Sequence, residues 1–374
     1  MAFKNHFLAV LLALPRLPDG DLPMLLMSPY LQAVTPTSVY VLAESMAEDP
    51  VTVQCGTTDA FGIVARTESI RTTTGGSFVH AVKVEGLTPD TRYVYRAIQG
   101  TDTSAMVAFH SAVLPGTPFR FAWMADCRSG TAIHDSIAGR ILQANPVVSL
   151  YGGDLCPTPS YSAYKSNFFR LRERGLIGRV PFFNSTGNHE GWDTNTVAFT
   201  HAPASASGVE AYYSFDYGDM HVLVLNTQLP CDIGTAQYQF VKEDISATKR
   251  TWRIVIAHDH AYCVGGHGEN NALKTMTTNV FEPGKVDLVL SGHSHFYQHN
   301  LVNGIHHMII GSAGAPLYDP GRGDYTLKAV KDYNFAIGDV TPTTLRLVVY
   351  NHRGETLDSL FFKKPATEDS ERNR

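Results

Sequence analysis

From residue 119 onward, short apolar runs alternate with longer stretches of helical character. Runs 121–124, 147–151, 180–183, 254–257 and 286–290 read as β-strands, and 131–144, 161–174, 235–248 and 271–281 as helices. Strands alternating with helices predict a βαβ layout. Two strands between 211 and 226 turn at Tyr217-Gly218-Asp219, a hairpin signal. Segments 306–310, 334–339 and 344–350 add a late β-rich run.

Ahead of residue 119 the pattern differs. Segments 38–43, 51–55, 80–84, 91–97 and 106–111 are rich in Val, Tyr and Thr, with turn residues between them. They predict an all-β domain over 22–112. Within it, Leu87-Thr88-Pro89-Asp90-Thr91-Arg92-Tyr93 resembles the fibronectin type III signature, in which a Tyr folds back to bond the backbone. The resemblance makes Tyr93 structural, with ligand contact the lesser alternative. Two Pro and one Gly in Leu114–Pro118 mark 113–118 as a linker. The second domain is then expected at 119–363, with a disordered tail at 364–374.

Composition narrows the function classes. The 374 residues are enough for two domains, and 44% hydrophobic with 17% charged residues is a globular balance. A formal charge of −5 without a basic run argues against binding a nucleic-acid backbone. No stretch approaches the roughly 20 apolar residues of a membrane span. Lys4 followed by the apolar run 7–14 reads as an export signal within a leader at 1–21, although no clean small-x-small cleavage site follows. That predicts a periplasmic or extracellular location, and a frayed N-terminus in a cytoplasmic protein is the alternative. Five Cys leave one unpaired if the chain is exported. A Cys231–Cys263 disulfide is allowed there, while Cys127, Cys156 and Cys263 read as small buried hydrophobes.

Chemistry sits at the ends of the apolar runs. Asp126-Cys127-Arg128, Gly153-Asp154, Gly187-Asn188-His189-Glu190, His258 and Gly292-His293-Ser294-His295 each follow one of the five strands. Open α/β sheets bind ligands outside the carboxyl ends of their strands. Five such ends would bring two Asp, one Asn and several His into one cleft. Carboxylate and amide oxygens mixed with imidazoles suit divalent Zn, Mn or Fe.

The order and spelling of these motifs resemble the calcineurin-like metallophosphoesterases, and within them the purple acid phosphatase-like branch with a fibronectin-type domain in front. The resemblance implies two packed mixed β-sheets flanked by helices, a four-layer α/β domain behind an all-β sandwich. It implies two divalent metal ions, one held by Asp126, Asp154 and His295, the other by Asp154, Asn188, His258 and His293. Asp154 would bridge them. It also implies hydrolysis of a small phosphate ester by a metal-bound hydroxide, with a phosphomonoesterase favoured over a phosphodiesterase by analogy to acid phosphatases. His189 would contact the phosphoryl group or protonate the leaving oxygen, since imidazole suits general acid work near neutrality. A His that only orients Asn188 is the alternative.

Two departures stand out. Simpler members write Asp-x-His in the first motif, where this chain has Arg128. Arg cannot ligate a cation, but it can bind phosphate bidentately or neutralise Asp126. The purple enzymes carry a metal-binding Tyr three residues after the bridging Asp, where this chain has Pro157. His260 replaces a Pro common after the His258 position and is a candidate for phosphate contact or metal binding, with a structural loop His an equal alternative. His267 and Tyr297 are candidates to line the cleft. The reading in a different class is a non-catalytic protein that uses the fibronectin-like domain for a protein or surface contact and keeps an inert scaffold.

Overall fold

A computed structural model describes residues 24–203 and 206–365. The expected leader and most of the expected tail lie outside the described residues.

The N-terminal strands are β1 (Tyr30–Gln32), β2 (Ser38–Ser45), β3 (Thr52–Gly56), β4 (Ile63–Thr72), β5 (Phe78–Glu85), β6 (Arg92–Gln99), β7 (Asp102–Thr103) and β8 (Val107–His110). Strands β1, β2 and β5 pair antiparallel on one side, and β3, β6, β7 and β8 on the other. β4 serves both, bonded to β3 and, past a bulge between Thr67 and Ser69, to β5. Buried Val39, Val41, Val53, Val82, Tyr95 and Phe109 fill the space between. Tyr93 does fold back, its Oη accepting the Thr88 N–H at 2.9 Å.

The following strands are β9 (Phe119–Met124), β10 (Val148–Tyr151), β11 (Phe182–Asn184), β12 (Tyr213–Tyr217), β13 (Met220–Val224), β14 (Trp252–Ala257) and β15 (Leu288–Ser291). The chain closes with β16 (Tyr297–Val302), β17 (Ile305–Ile310), β18 (Thr326–Val330), β19 (Asn334–Val340), β20 (Thr344–Asn351) and β21 (Thr356–Lys363). They form two mixed sheets, β21-β20-β19-β9-β10-β11 and β12-β13-β14-β15-β17-β16-β18. Helices are α1 (Thr131–Ala144), α2 (Tyr161–Ala163), α3 (Leu171–Ile177), α4 (Thr194–Phe199), α5 (Ala236–Ala247) and α6 (Asn271–Met276).

Period-two alternation assigns the layers. On β9, Phe119, Phe121 and Trp123 face the other sheet, while Ala122 and Met124 face the helix side with Ile137 and Ile141 of α1. On β14, Trp252, Ile254 and Ile256 face inward, while Val255 and Ala257 pack with Val241 and Ile245 of α5. The result is helix, sheet, sheet, helix. Strands covered on both faces must be apolar throughout, which is why these runs stand out in the sequence.

Linker notwithstanding, the two regions share a sheet. β1 pairs parallel with β11 at Gln32 and Phe182, so hydrogen bonding runs on from β21 to β7. No described helix is long and apolar enough to cross a membrane.

Candidate metal centre

The loops after β9, β10, β11, β14 and β15 converge. Asp126 follows β9, Asp154 follows β10, His258 follows β14, and His293 and His295 follow β15. Asp126, Asp154 and His293 hold left-handed backbone, with φ of 57°, 54° and 67°. Asp and His tolerate that region better than most residues. The glycines around them leave room: a Cβ on Gly153 would stand 2.5 Å from the Gly187 N and 2.9 Å from His258 Nδ1.

Asp126, Asp154 and His295 each bring a donor atom within 4.8 Å of the others, and so do His258, Asp259 and His293. His258 Nε2 lies 3.0 Å from Asn188 Oδ1 and 3.4 Å from Asp154 Oδ1. His295 Nε2 lies 3.4 Å from Asp126 Oδ1. The structure therefore gathers all six expected ligands. Sequence reasoning passed over Asp259, whose oxygens accept from Gln228 Nε2 (3.3 Å) and Asn270 Nδ2 (2.9 Å).

Three features test whether a cation fits. His258 Nδ1–H donates to Gly152 O at 2.7 Å and His295 Nδ1–H to Pro316 O at 2.7 Å. Each bond fixes the tautomer and aims Nε2 at the cleft, the usual support of a ligating imidazole. Asp126 Oδ1 is buried without a hydrogen-bond partner. The titrations also point to concentrated charge. Burial drives the Asp126 pKa well above the usual carboxylate value, with Asp154 adding to it against the pull of His258. Burial opposes ionising Asp154 as well, but His258, His189 and Arg128 outweigh it and hold its pKa low. Burial disfavours charge on His258, yet Asp154 and Asp126 lift its pKa above the ordinary value. Burial first, then His258, pushes His293 down to about 2, and burial pushes His295 to about 4. The neutral imidazoles of His293 and His295, the aimed Nε2 of His258, the carboxylates and the orphaned buried oxygen form a donor set that fits divalent metal.

Arg128 donates from Nε to Asp154 Oδ2 at 3.0 Å and from Nη2 to His295 Nε2 at 3.3 Å. Its direct ion pair is with Asp154, and it acts on Asp126 only as a weaker, more distant charge, reaching Asp154 and His295 together across the first donor group. Glu190 gains a role that the sequence left open. Its buried Oε1 accepts the N–H of Asp154 and of Gly187, both at 2.8 Å, and so locks two ligand loops together. His189 is half-buried, its N–H on Asp154 Oδ1 (3.0 Å) and its Nδ1–H on Pro157 O (2.9 Å). Nε2 then stands 3.9 Å from Asp154 Oδ2.

His260 does not reach the cleft. It is 3% exposed, with Nε2 2.8 Å from Ser294 Oγ, and burial lowers its pKa to about 3. It braces the His293 loop from beneath, so the expected phosphate contact does not fit its place. Tyr297 is also turned away, its Oη donating to Asp358 at 2.7 Å. His267 does belong to the rim, stacked on His293 with ring centroids 4.1 Å apart. Tyr318, unmarked in the sequence, stacks on His295 at 4.2 Å. All five cysteines are free and buried. Cys156 Sγ bonds Thr158 O and Cys263 Sγ bonds Gly265 O.

Comparison with known proteins agrees with this geometry. Residues 119–297 match the calcineurin-like phosphoesterase family. Purple acid phosphatase 21 of Arabidopsis thaliana is 27% identical over 236 residues, 59% of this chain and 53% of that protein. The Fe(3+)-Zn(2+) purple acid phosphatase 12 of the same plant is 26% identical over 275 residues, covering 64% and 58%. The chain thus spans a little over half the length of these relatives. The purple acid phosphatase PPD1 from yellow lupin (Lupinus luteus) seeds superposes with a TM-score of 0.78 at 18% identity, over 91% of this chain and 74% of that one. PhoD superposes at 0.70 with 13% identity, over 96% and 97%. Residues 119–297 are thus similar to the calcineurin-like phosphoesterases, and the chain shares the fold of the purple acid phosphatase PPD1.

Proposed function

We propose that this protein is a metal-dependent phosphoric ester hydrolase, with phosphomonoesters its substrates. The observation that carries the reading is the convergence of Asp126, Asp154, Asn188, His258, His293 and His295, with His258 and His295 locked by backbone carbonyls. Asp154, of the first donor group, also stands 3.4 Å from His258 Nε2 of the second, with its left-handed backbone held by Glu190 and its Oδ1 by the His189 N–H. Two divalent cations bound there would polarise a phosphoryl oxygen and supply a strong oxygen nucleophile at neutral pH. Arg128, with Nε and Nη2 engaged, offers Nη1 to the phosphoryl group. His189, its Nδ1–H fixed on Pro157 O, delivers a proton from Nε2 to the leaving oxygen. His267 and Tyr318 form an aromatic rim against which the ester group rests.

The N-terminal region, which we read as fibronectin type III-like on its Tyr93 bond, ends at residue 112. Export rests on the Lys4 and 7–14 segment. The substrate class is tested by kcat/KM for an aryl phosphate monoester against the matching diester. We expect the monoester to lead by at least about 10-fold, roughly 1.4 kcal/mol in transition-state binding. A diester preference would transfer the site to phosphodiester chemistry, and no turnover of either ester by metal-loaded protein would favour an inert scaffold.

A further inference from the structure

The turn between β4 and β5 leans from the N-terminal sandwich over the catalytic loops. It is rigid in itself, since Thr73 Oγ1 accepts the N–H of Gly75 and of Ser77, both at 3.2 Å. At its exposed tip, the Thr74 N–H donates to Asn195 Oδ1 at 2.8 Å, and Asn195 Nδ2 donates back to Thr74 Oγ1 at 2.8 Å. The same Nδ2 donates to Pro159 O at 2.7 Å. Asn195 is 1% exposed in the first turn of α4, its own N–H on Asp193 Oδ1. Gly75 rests on the ring of Tyr161, where a Cβ would come within 2.5 Å. Arg71 of β4 secures the same helix from its other end, through Val197 O at 2.7 Å.

Pro159 is two residues from Pro157, whose carbonyl holds His189 Nδ1–H. Proline fixes φ near −65°. With two prolines in three residues, a tie at the Pro159 carbonyl constrains the Pro157 carbonyl as well. Without that tie the acceptor for His189 would be free to shift, and a misplacement of about 1 Å can cost about 100-fold in rate.

We infer that Asn195 is a positioning residue for His189, and that Thr74 makes the N-terminal sandwich a working part of the catalytic site. The inference rests on the reading of His189 as proton donor. Its chain of contacts is Thr74 to Asn195, Asn195 to Pro159, and Pro157 to His189.

The test uses metal-loaded full-length protein and a series of phosphate monoesters from 4-nitrophenyl to alkyl. Asn195→Asp keeps the shape and the acceptor for the Thr74 N–H, but loses the donor to Pro159 O and to Thr74 Oγ1. We expect kcat on alkyl phosphates to fall about 10-fold, the lower end of what an orienting partner contributes. On 4-nitrophenyl phosphate, which needs little protonation, the change should stay below about 2-fold. His189→Ala should show the same selectivity at larger size, and the double variant should be no worse than His189→Ala alone. Equal losses on all esters, or losses that multiply in the double variant, would overturn the inference while leaving the His189 reading intact. Equal losses for His189→Ala itself would instead sink the proton-donor reading. Should Asn195→Asp not fold, the exposed Thr74→Ala must carry the same leaving-group signature, at about 3-fold by loss of one neutral hydrogen bond, or the inference falls.

Discussion

Three proposed ligands, Asp126, Asp154 and His293, sit where an L-residue costs about 1–2 kcal/mol. Such strain persists only where the surroundings over-determine it, and Asp154 shows how: Glu190 holds its N–H, His189 its Oδ1 and Arg128 its Oδ2. Asp154→Asn should therefore abolish hydrolysis and lower metal content in both donor groups, with near-normal metal content by elemental analysis the result against it. Arg128 carries a second prediction. A fixed positive charge on Asp154 and His295 competes with a cation for the first donor group, so graded chelation should release metal in two steps. Arg128→His should merge them. With Pro157 where the purple enzymes have Tyr, iron-loaded protein should stay colourless, and a visible charge-transfer band would show a phenolate ligand. The ligands themselves were legible because each follows closely on a largely apolar run. Glu190, Asp259 and Tyr318 were not, because their contacts with Asp154, 36 positions away, with Gln228, 31 away, and with the ring of His295 follow no local periodicity.

At the level of elements, α5 is tied to the β12–β13 hairpin by His221, whose rings donate to Asp216 Oδ1 and Asp244 Oδ2 at 2.8 Å each. Ser214 and Arg250 bond the same two carboxylates. Burial opposes charging His221, but the two carboxylates raise its pKa to about 9. A pKa above the unfolded value of about 6.5 gives stability that is full below that pH and is lost as pH rises toward 9, on the order of 1–3 kcal/mol. Denaturation midpoints should fall between pH 7 and 10 in wild type and stay flat in His221→Gln; equal slopes would remove His221 as the cause. Strands β9, β10, β14 and β15 were readable as largely apolar runs, interrupted only by Arg120, Ser149, Arg253 and Ser291. β4 was not, since its pattern is mostly half-buried or exposed. β16 buries Gln298, His299 and Asn300, which hydropathy counts as surface; their hydrogen bonds to Val264 O, Asp358 and Tyr262 O make burial affordable. Residues 161–174 read as one helix, but widen into a π-helical turn at Tyr164–Phe168 before α3. Periodicity over so short a span does not separate the two.

Across the whole molecule, one hydrophobic core runs from Val39 and Tyr95 through Trp123 to Ile254 and Leu345. Tyr95 Oη donates to Gly178 O at 2.8 Å, and Arg71 pairs with Glu210, so the sandwich is bonded to the phosphoesterase domain at several points. Calorimetry should show one cooperative unfolding transition, and two separated transitions would contradict this continuity. The linker at 113–118 pointed to two domains, but no local pattern announces that β1 joins a distant sheet at Gln32 and Phe182. The same integration places the sandwich hairpin against the loops of the site. The most direct measurement of the central claim is turnover of an aryl phosphate monoester by protein stripped with chelator and then reconstituted, in wild type and Asp154→Asn side by side. The account predicts that wild type loses activity on stripping and regains it with divalent metal, while Asp154→Asn stays inactive at any metal concentration. Hydrolysis that survives complete stripping, or an Asp154→Asn protein restored by metal, would contradict it.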